Sequence, residues 1–291
     1  MRIIRYQAIA IGTDLPVLNT AALRRANALA GADAGFTLSP AHGLILAACF
    51  IVSIGFAQAQ AAGGHPTVLA TLWKWTPLIV TGFGFNIAIS FLAMAIGTFF
   101  GAFLGIAQIS LWRPMRKGAW FATHFFRNAP WLVLLFYCMF LLPFKFTLFG
   151  ITLPFPDWMK ATLGLSLPVM ANVSEIVRGA IQSIPTAQWE SAYSLAFTRR
   201  QTLWMIILPQ GVKRMLPPWM NVYCILAVGT VLASVVGVQE VMTLTGDALS
   251  AENRPELLMP FYGFVLLLFF AYCYPIARWT VAMEHKYAVK I

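Results

Sequence analysis

Charged residues are scarce in this chain of 291 residues: only 10% are Asp, Glu, Lys or Arg, whereas 59% are apolar. A soluble domain of ordinary composition carries about 25% charged residues, so the chain lacks the polar surface that keeps a monomer dissolved in water. Its mean hydropathy of +0.74 and aromatic content of 14% also exclude a disordered or collagen-like polymer. The composition therefore indicates an integral membrane protein rather than a water-soluble enzyme.

Reactive clusters are lacking as well. The four cysteines stand far apart in apolar runs, without the close spacing of zinc ligands or of a redox pair, so we expect free thiols. The four histidines are dispersed, and none has an acid or nucleophile at a catalytic spacing. No metal site and no catalytic residue is predicted. The sequence contains no Gly-x-x-x-x-Gly-Lys-Ser/Thr motif, which excludes a P-loop nucleotide site in this chain.

Apolar runs long enough to cross a bilayer recur along the chain. A helix needs about 20 largely apolar residues to span a hydrocarbon core of roughly 30 Å. We predict an all-α integral membrane protein with about six transmembrane helices, at 41–57, 79–109, 128–144, 161–180, 215–239 and 257–277. Residues 1–40 are predicted as a cytoplasmic tail, 41–60 as an extra N-terminal transmembrane helix and 75–291 as the core. A signal sequence cleaved after Ala57-Gln58-Ala59 is the alternative for the first helix, against which its long leader argues.

The basic residues are distributed unevenly between the connecting segments. Sixteen of the 20 Lys and Arg fall in the two terminal segments, the second-to-third connection, and the fourth-to-fifth connection taken with the end of the fourth span. The alternate connections hold the remaining four: Lys74, Lys145, Lys160 and Arg254. Because cytoplasmic loops retain positive charge, both termini are predicted to be cytoplasmic. The net charge of +10 then reports orientation in the membrane, and no nucleic acid partner is expected.

The connection between the fourth and fifth predicted spans, 182–214, carries helix signals. Pro185 suits a helix start, and apolar residues follow at i, i+3, i+4 and i+7: Trp189, Ala192, Tyr193 and Ala196. Thr198 and Gln201 form a capping-box pattern that begins a second helix, which we expect Pro209 to interrupt. The loop is predicted as two short amphipathic helices. Taken alone, they also fit interfacial helices that rest on lipid headgroups.

At this loop the sequence resembles the permease subunits of bacterial ATP-binding-cassette (ABC) importers, specifically the polar amino acid group. The family's Glu-Ala-Ala, Gly and Ile-x-Leu-Pro signature stands here, at the same spacing, as Glu190-Ser191-Ala192, Ala196 and Ile206-Ile207-Leu208-Pro209. Phe126-Arg127-Asn128-Ala129-Pro130 and the run from Glu175 to Pro185 resemble two further motifs of that family. Ala196 replaces a Gly that often adopts a left-handed conformation, which costs another residue roughly 1–2 kcal/mol. We therefore expect a reshaped turn or one further residue of helix.

The resemblance implies a coupling role for the loop, which would dock on a separate ATPase subunit through Trp189, Glu190, Ser191, Ala192, Tyr193 and Ala196. It also implies a type I importer permease core that works in the bacterial inner (plasma) membrane with a second permease subunit, as a heterodimer or a homodimer, and with an extracytoplasmic solute-binding protein. The chain itself would be a transport subunit without a cofactor, since ATP and Mg would bind to the partner. The acidic stretch 240–256 is expected either to dock the binding protein or to form a solvated loop.

Polar residues inside the predicted spans are the candidates for a substrate pathway, because such groups face a bundle interior or a cavity. They are Asn86, Ser90, Asn172, Ser174, Asn221, Tyr223, Thr230 and Ser234. Hydrogen bonding between helices is the alternative role for any one of them. Glu175 and Arg178, at i and i+3, are predicted to form a structural ion pair.

One departure from the family pattern bears on the substrate. Many amino acid permeases carry Lys-Asp/Asn-Ser/Thr-Ser/Ala where this chain has Ala227-Val228-Gly229-Thr230. We therefore expect the second permease subunit to supply most polar contacts. The implied function is import of a polar amino acid or a related zwitterion. The alternatives are a permease for another small solute and an ATP-independent secondary carrier or channel.

Overall fold

A computed structural model of the chain describes residues 40–60, 66–148 and 151–287. The predicted cytoplasmic tail lies outside the described residues, apart from its last residue, Pro40. His65, one of the four dispersed histidines, also lies outside them.

The described chain folds into helices joined by short turns, with one small β-hairpin. In chain order the helices are α1 (Pro40–Gln60), α2 (Val68–Gln108), α3 (Arg113–Asn128), α4 (Trp131–Leu141), α5 (Asp157–Gln182), α6 (Thr186–Ser194), α7 (Leu208–Gly229), α8 (Val241–Glu252) and α9 (Leu258–Tyr287). A short helix, Arg199–Gln201, and a π-helical segment, Thr202–Ile207, precede α7. Two 3₁₀ turns, Thr230–Val236 and Pro255–Leu257, flank α8. The hairpin pairs β1 (Lys145–Leu148) antiparallel with β2 (Ile151–Pro154), with Lys145 opposite Pro154.

Four helical segments of the described chain are long and apolar enough to cross a membrane: Ala41–Ala59, Val68–Gln108, Arg199–Val236 and Pro255–Glu284. The bent pair of α3 and α4 adds a fifth if it is counted as one span. α5, which contains the predicted fourth span, is not among them because polar residues interrupt it. The all-α membrane architecture is confirmed, with four or five helices apolar enough to span by themselves.

The polar composition of α5 is compatible with its position at the centre of the main hydrophobic core. Its buried residues Leu165, Val169, Val173 and Val177 belong to this core, which also includes Leu135 of α4 and residues of α2 and α7. A helix enclosed by other helices does not face lipid, so it tolerates more polar residues than a lipid-facing helix.

Three glycines of α2 allow it to approach α5 closely. A Cβ atom added at Gly97 would lie 2.5 Å from Cγ1 of Val169, and one added at Gly101 would lie 2.6 Å from the carbonyl oxygen of Met170. At Gly105 the corresponding distance to the carbonyl oxygen of Ser174 is 2.7 Å. The spacing of four residues places all three glycines on one helix face, and small residues at such positions bring membrane helices together.

The third predicted span, 128–144, is shorter in the structure than expected. α3 ends at Asn128, Ala129 and Pro130 are extended, and the 11-residue helix α4 begins at Trp131. The two helices are bent by 104°. Proline disfavours the helical conformation of the residue before it, which explains the break.

α1 packs against α9 and exposes much of its remaining surface. The rings of Phe50 and Phe264 lie 6.4 Å apart. By contrast, Leu44, Ile51 and Val52 are each more than two-thirds exposed. An apolar helix with this exposure is suited to contact with lipid.

The prediction that Pro209 interrupts the second helix of the loop is wrong. The N–H group of Leu208 donates to the carbonyl oxygen of Leu203 across the π-helical segment, and the chain continues directly into α7. Pro209 occupies the first turn of α7, where its missing N–H group costs little. The wider π-helical turn thus carries the helix past the proline.

Candidate functional site

The predicted coupling loop contains the short helix α6, which begins after Pro185. One side of α6 faces the protein: Ala192 is 1% exposed, and Trp189 packs against the main hydrophobic core. Tyr193 and Leu195 are 50% and 71% exposed. Trp189 therefore anchors the loop to its own chain, while Tyr193 and Leu195 form a free apolar surface.

The other predicted coupling residues are exposed. Glu190 and Ser191 lie on the outer side of α6, and Ala196 lies just beyond its end. Of the six residues, the four that a partner protein can contact are Glu190, Ser191, Tyr193 and Ala196. Trp189 and Ala192 hold the helix in place.

The turn after α6 keeps a left-handed residue without glycine. Ala196 has a φ of 58°. Its N–H group donates to the carbonyl oxygen of Tyr193 at 2.9 Å, and that of Phe197 donates to the carbonyl oxygen of Ala192 at 3.0 Å. These two bonds define a Schellman motif, which caps the last carbonyl groups of a helix. The expectation of a reshaped turn or a longer helix is therefore wrong: α6 ends at Ser194, and Ala196 bears the conformational strain.

Hydrogen bonds attach both ends of the loop to neighbouring helices. The predicted capping box is confirmed, since Thr198 and Gln201 satisfy each other's backbone N–H groups. Nη2 of Arg199 donates to the carbonyl oxygen of Ile109, just after α2, at 3.1 Å. Nη1 of Arg214, in α7, donates to the carbonyl oxygen of Ser183 at 2.7 Å. The loop is therefore tied to α2 and α7.

Glu175 and Arg178 form a bidentate ion pair on α5. Nε of Arg178 lies 3.1 Å from Oε1 of Glu175, and Nη2 lies 2.6 Å from Oε2. Arg127 of α3 adds a longer contact of 3.6 Å to Oε2. Gln108 of α2 donates to Oε1 at 3.2 Å. The pair thus joins three helices.

Ser174, a predicted pathway residue, lies in a closed network beside this pair. Nε2 of Gln108 donates to the hydroxyl oxygen of Ser174 at 2.7 Å and to that of Thr123 at 3.0 Å. The two hydroxyl groups lie 3.0 Å apart. All three side chains are buried, so Ser174 links helices and does not face an open path.

A second buried network contains Asn86 and Thr230. The Nδ2 group of Asn86 donates to Oγ1 of Thr230 at 3.0 Å and to Oε2 of Glu240 at 2.8 Å. Glu240 is fully buried and caps α8, because its Oε1 accepts the N–H groups of Met242 and Thr243. Sequence reasoning missed this role of Glu240, and no local signal indicates that its partner lies in α2.

Ser90 and Tyr223 meet in the interior. The hydroxyl groups of Ser90 and Tyr223 lie 3.2 Å apart, and that of Tyr223 lies 2.5 Å from the hydroxyl of Tyr272. This chain of hydroxyl groups joins α2, α7 and α9. It is a polar contact between packed helices.

Asn172 and Asn221, two of the predicted pathway residues, line a cavity. Its volume is about 470 Å³, and charged side chains also line it: Arg127, Glu175 and Arg214. Ser234 donates a hydrogen bond to the carbonyl oxygen of Val231, on its own turn. A larger cavity of about 570 Å³, lined by Phe85, Asp157 and Trp158, contains none of the predicted residues.

The acidic stretch 240–256 is not an open acidic surface. Glu240 is buried, and Glu252 accepts hydrogen bonds of 2.7 Å from Lys74 and from Trp75. These bonds hold the pKa of the Glu252 carboxyl below its usual value. Glu256 pairs with Arg254 at 2.7 Å. Among the four carboxylates of this stretch, only Asp247 is exposed.

The fold and these contacts define a class of protein. Apolar helices that could span a membrane, with polar networks closed between them, characterise a helical membrane protein. In the part of the chain that the structure describes, no group of three or more His, Cys, Asp or Glu residues is arranged to hold a metal ion.

Comparison with known protein families identifies the chain more closely. Residues 97–282 match the model of the inner membrane component of binding-protein-dependent transport systems. The chain belongs to this family, so it is a transport subunit and not an enzyme.

Three relatives carry transport names. The probable amino-acid ABC transporter permease protein YckA of Bacillus subtilis (strain 168) is 35% identical over 212 residues, which cover 73% of this chain and 90% of that protein. The L-cystine transport system permease protein TcyB of the same strain is 33% identical and covers 63% and 75%. The glutamine transport system permease protein GlnP of Escherichia coli (strain K12) is 30% identical and covers 63% and 82%.

Solved structures share the fold. A chain from the crystal structure of an amino acid ABC transporter with histidines superposes with a TM-score of 0.65 at 25% identity, over 75% of this chain and 97% of that one. A chain of the inward-facing MetNI methionine ABC transporter gives a TM-score of 0.52 at 15% identity, over 73% and 97%. The fold is that of a type I ABC importer permease.

Proposed function

We propose that this chain is the membrane-spanning permease subunit of an ABC importer for a polar amino acid or a related zwitterion. The names of three relatives, which refer to amino acids, cystine and glutamine, support this substrate class. The solved amino acid ABC transporter, which this chain resembles over most of its length, supports it further. Transport is driven by ATP that a separate subunit binds with Mg and hydrolyses.

The observation that carries the proposal is the geometry of the loop around α6. Trp189 and Ala192 fix the helix on the bundle, while Tyr193, Leu195 and Glu190 remain exposed. A rigid helix with an exposed aromatic side chain loses little conformational entropy when it enters a groove on a partner. We assign these exposed residues to contact with the ATPase subunit.

The charge distribution supports the proposed orientation. The loop around α6 belongs to the segments that hold sixteen of the 20 Lys and Arg residues. Because positively charged segments remain in the cytoplasm, the loop and both termini are assigned to the cytoplasmic side of the bacterial inner membrane. This is the compartment that supplies ATP, and the solute-binding protein then approaches from the opposite side.

The substrate path is assigned to the face that carries Asn172 and Asn221. The charged and polar lining of their cavity is costly to expose to lipid, so a second permease subunit or a water-filled path is its natural neighbour. Five of the other predicted pathway residues are engaged in hydrogen bonds between helices. This supports a dimer in which the second subunit contributes to the site, and a heterodimer is the form we propose.

Alternating access requires the substrate to bind the inward-open and outward-open states with different affinities. A ligand with equal affinity for both states does not shift the equilibrium between them. In the proposed cycle, ATP binding closes the ATPase subunits and moves α6. Because Arg199 and Arg214 tie the loop to α2 and α7, this movement reaches both helices.

Uptake into proteoliposomes tests the proposal. The permease chain is purified with its associated subunits, reconstituted, and supplied with binding protein and radiolabelled solutes. We expect saturable uptake of a polar amino acid with ATP and none with a non-hydrolysable ATP analogue. Inorganic phosphate and divalent metal ions serve as control solutes. Uptake that persists without ATP, from a preparation that contains no ATPase subunit, would establish a secondary carrier or channel instead.

A further inference from the structure

Helix α3 carries basic and aromatic residues side by side. Its cations are Arg113, Arg116, Lys117 and Arg127. Its largest exposed aromatic side chains are Trp120, Phe121 and Phe125, which are 54%, 65% and 56% exposed. α3 is bent by 104° from α4, so the two helices cannot both follow the membrane normal. This composition and direction suit a helix that lies along the membrane surface.

α3 lies at the same end of the bundle as the loop around α6. The contact that places it there is the hydrogen bond of 3.1 Å from Arg199 to the carbonyl oxygen of Ile109, four residues before α3 begins. This is the cytoplasmic end in the proposed orientation. The inference below rests on the proposed function only for the choice of membrane leaflet.

A cavity of about 320 Å³ opens between α3 and the end of α5. Its lining includes Arg116, Lys117, Trp120, His124, Arg178 and Gln108. Arg178 is already neutralised by Glu175. Arg116 and Lys117 are exposed and form no ion pair with any carboxylate within the ranges that the structure describes. The cavity thus has two cations available for an anionic ligand.

The walls of the cavity are built from fixed side chains. Trp120 and His124 stack with ring centroids 4.2 Å apart, and Nδ1 of His124 lies 2.9 Å from the carbonyl oxygen of Trp120. Gln108, which is 5% exposed, is held by its three donor contacts.

We propose that this cavity binds the phosphate of an anionic phospholipid headgroup in the adjoining leaflet. Arg116 and Lys117 contact the phosphate, and the Trp120–His124 stack forms one wall of the site. A lipid fits better than a soluble phosphate because Phe121 and Phe125, on the same helix, expose large apolar surfaces beside the cations. Those rings are placed to contact acyl chains, for which a free anion has no equivalent.

Lipid binding to the full chain tests the proposal. The purified protein, with its associated subunits, is titrated with phosphatidylglycerol or phosphatidylethanolamine, and bound lipid is measured by native mass spectrometry. The variant R116Q/K117Q removes the two cations of the cavity, and K145Q/K213Q removes two exposed cations elsewhere. We expect phosphatidylglycerol to bind in preference to phosphatidylethanolamine. Its affinity should fall at least fivefold in R116Q/K117Q and remain unchanged in K145Q/K213Q.

Two results would overturn the proposal: equal binding of both lipids, or unchanged phosphatidylglycerol affinity in R116Q/K117Q. Competition identifies the source of the phosphate. A hundredfold excess of glycerol 3-phosphate or inorganic phosphate should leave the lipid bound, and its displacement would reassign the cavity to a soluble anion. Because the measurement needs neither ATP nor a transported solute, ATP-independent uptake would refute the proposed importer without changing the result here.

Discussion

The side-chain amide of Asn86 connects two segments that are far apart in the sequence. It donates a hydrogen bond of 2.8 Å to Oε2 of Glu240, and its oxygen accepts the N–H group of Val241 at 3.0 Å. Asn86 and Glu240 are both buried. One side chain in α2 therefore satisfies a carboxylate and a backbone donor at the beginning of α8.

Replacing Asn86 should destabilise the fold. We expect Asn86→Leu to lower the free energy of unfolding by about 2 kcal/mol, because Glu240 and the N–H group of Val241 each lose a buried hydrogen-bond partner. Tryptophan fluorescence during thermal unfolding in detergent measures the change. Asn172→Leu is the matched control, since Asn172 is only partly buried and donates to Pro168 on its own helix. Equal losses in both variants would contradict this account.

The strained turn after α6 should accept glycine. Ala196→Gly removes the Cβ atom from a residue with a φ of 58°, and we expect it to stabilise the loop by about 1 kcal/mol. Hydrogen exchange of the backbone amides in 186–201 should slow. Ala187→Gly, at an exposed position in the first turn of α6, should instead speed the exchange, because glycine is a poorer helix former than alanine. Faster exchange in Ala196→Gly would show that the turn is not strained.

A side chain at Gly101 should disrupt the packing of α2 on α5. A methyl group there would lie 2.6 Å from the carbonyl oxygen of Met170 and 2.8 Å from Cβ of Val173, so the helices must separate. We expect Gly101→Ala to reduce the yield of monodisperse protein several-fold in size-exclusion chromatography. Gly84→Ala, on the same helix, meets nothing within 4 Å and should be tolerated. Similar yields for the two variants would refute the close contact.

Charge reversal on α6 should uncouple transport. Glu190 is exposed, and no salt bridge is found for it within the described ranges, so we expect Glu190→Lys to leave membrane insertion intact. Uptake and solute-stimulated ATPase activity of the reconstituted complex should be abolished, because the partner's groove would meet the opposite charge. Gln188→Lys, also exposed on α6, is the control and should retain activity. Undiminished solute-stimulated ATPase in Glu190→Lys would remove this residue from the coupling contact.

Local patterns predicted the helices well because they depend on neighbouring residues. The capping box at Thr198 involves atoms only three residues apart, and it occurs as expected. The helical spacing of Trp189, Ala192 and Tyr193 indicated an amphipathic face, but it did not reveal that Trp189 faces the bundle and Tyr193 the solvent. That choice depends on the position of α6 relative to the other helices.

Long-range contacts were not predicted from the sequence, because they depend on how distant segments pack together. Glu240 was expected on an acidic surface, yet Asn86, 154 residues away, draws it into the interior. Pro209 was expected to interrupt a helix, but the π-helical turn before it lets the helix continue. The glycines of α2 are a different case: their four-residue spacing is a local pattern typical of close helix contacts, yet no prediction was drawn from it.

The length of α2 has a mechanical consequence. At 1.5 Å per residue its 41 residues extend over about 60 Å, roughly twice the hydrocarbon thickness of a bilayer. Even with the usual tilt, such a rod projects beyond the lipid tails. Just past one end, Ile109 accepts the hydrogen bond from Arg199, and near the other end Lys74 and Trp75 hold Glu252. In the proposed orientation, α2 therefore connects the loop around α6 at one face of the membrane with the end of α8 at the other, so that a tilt of α2 would move both contacts.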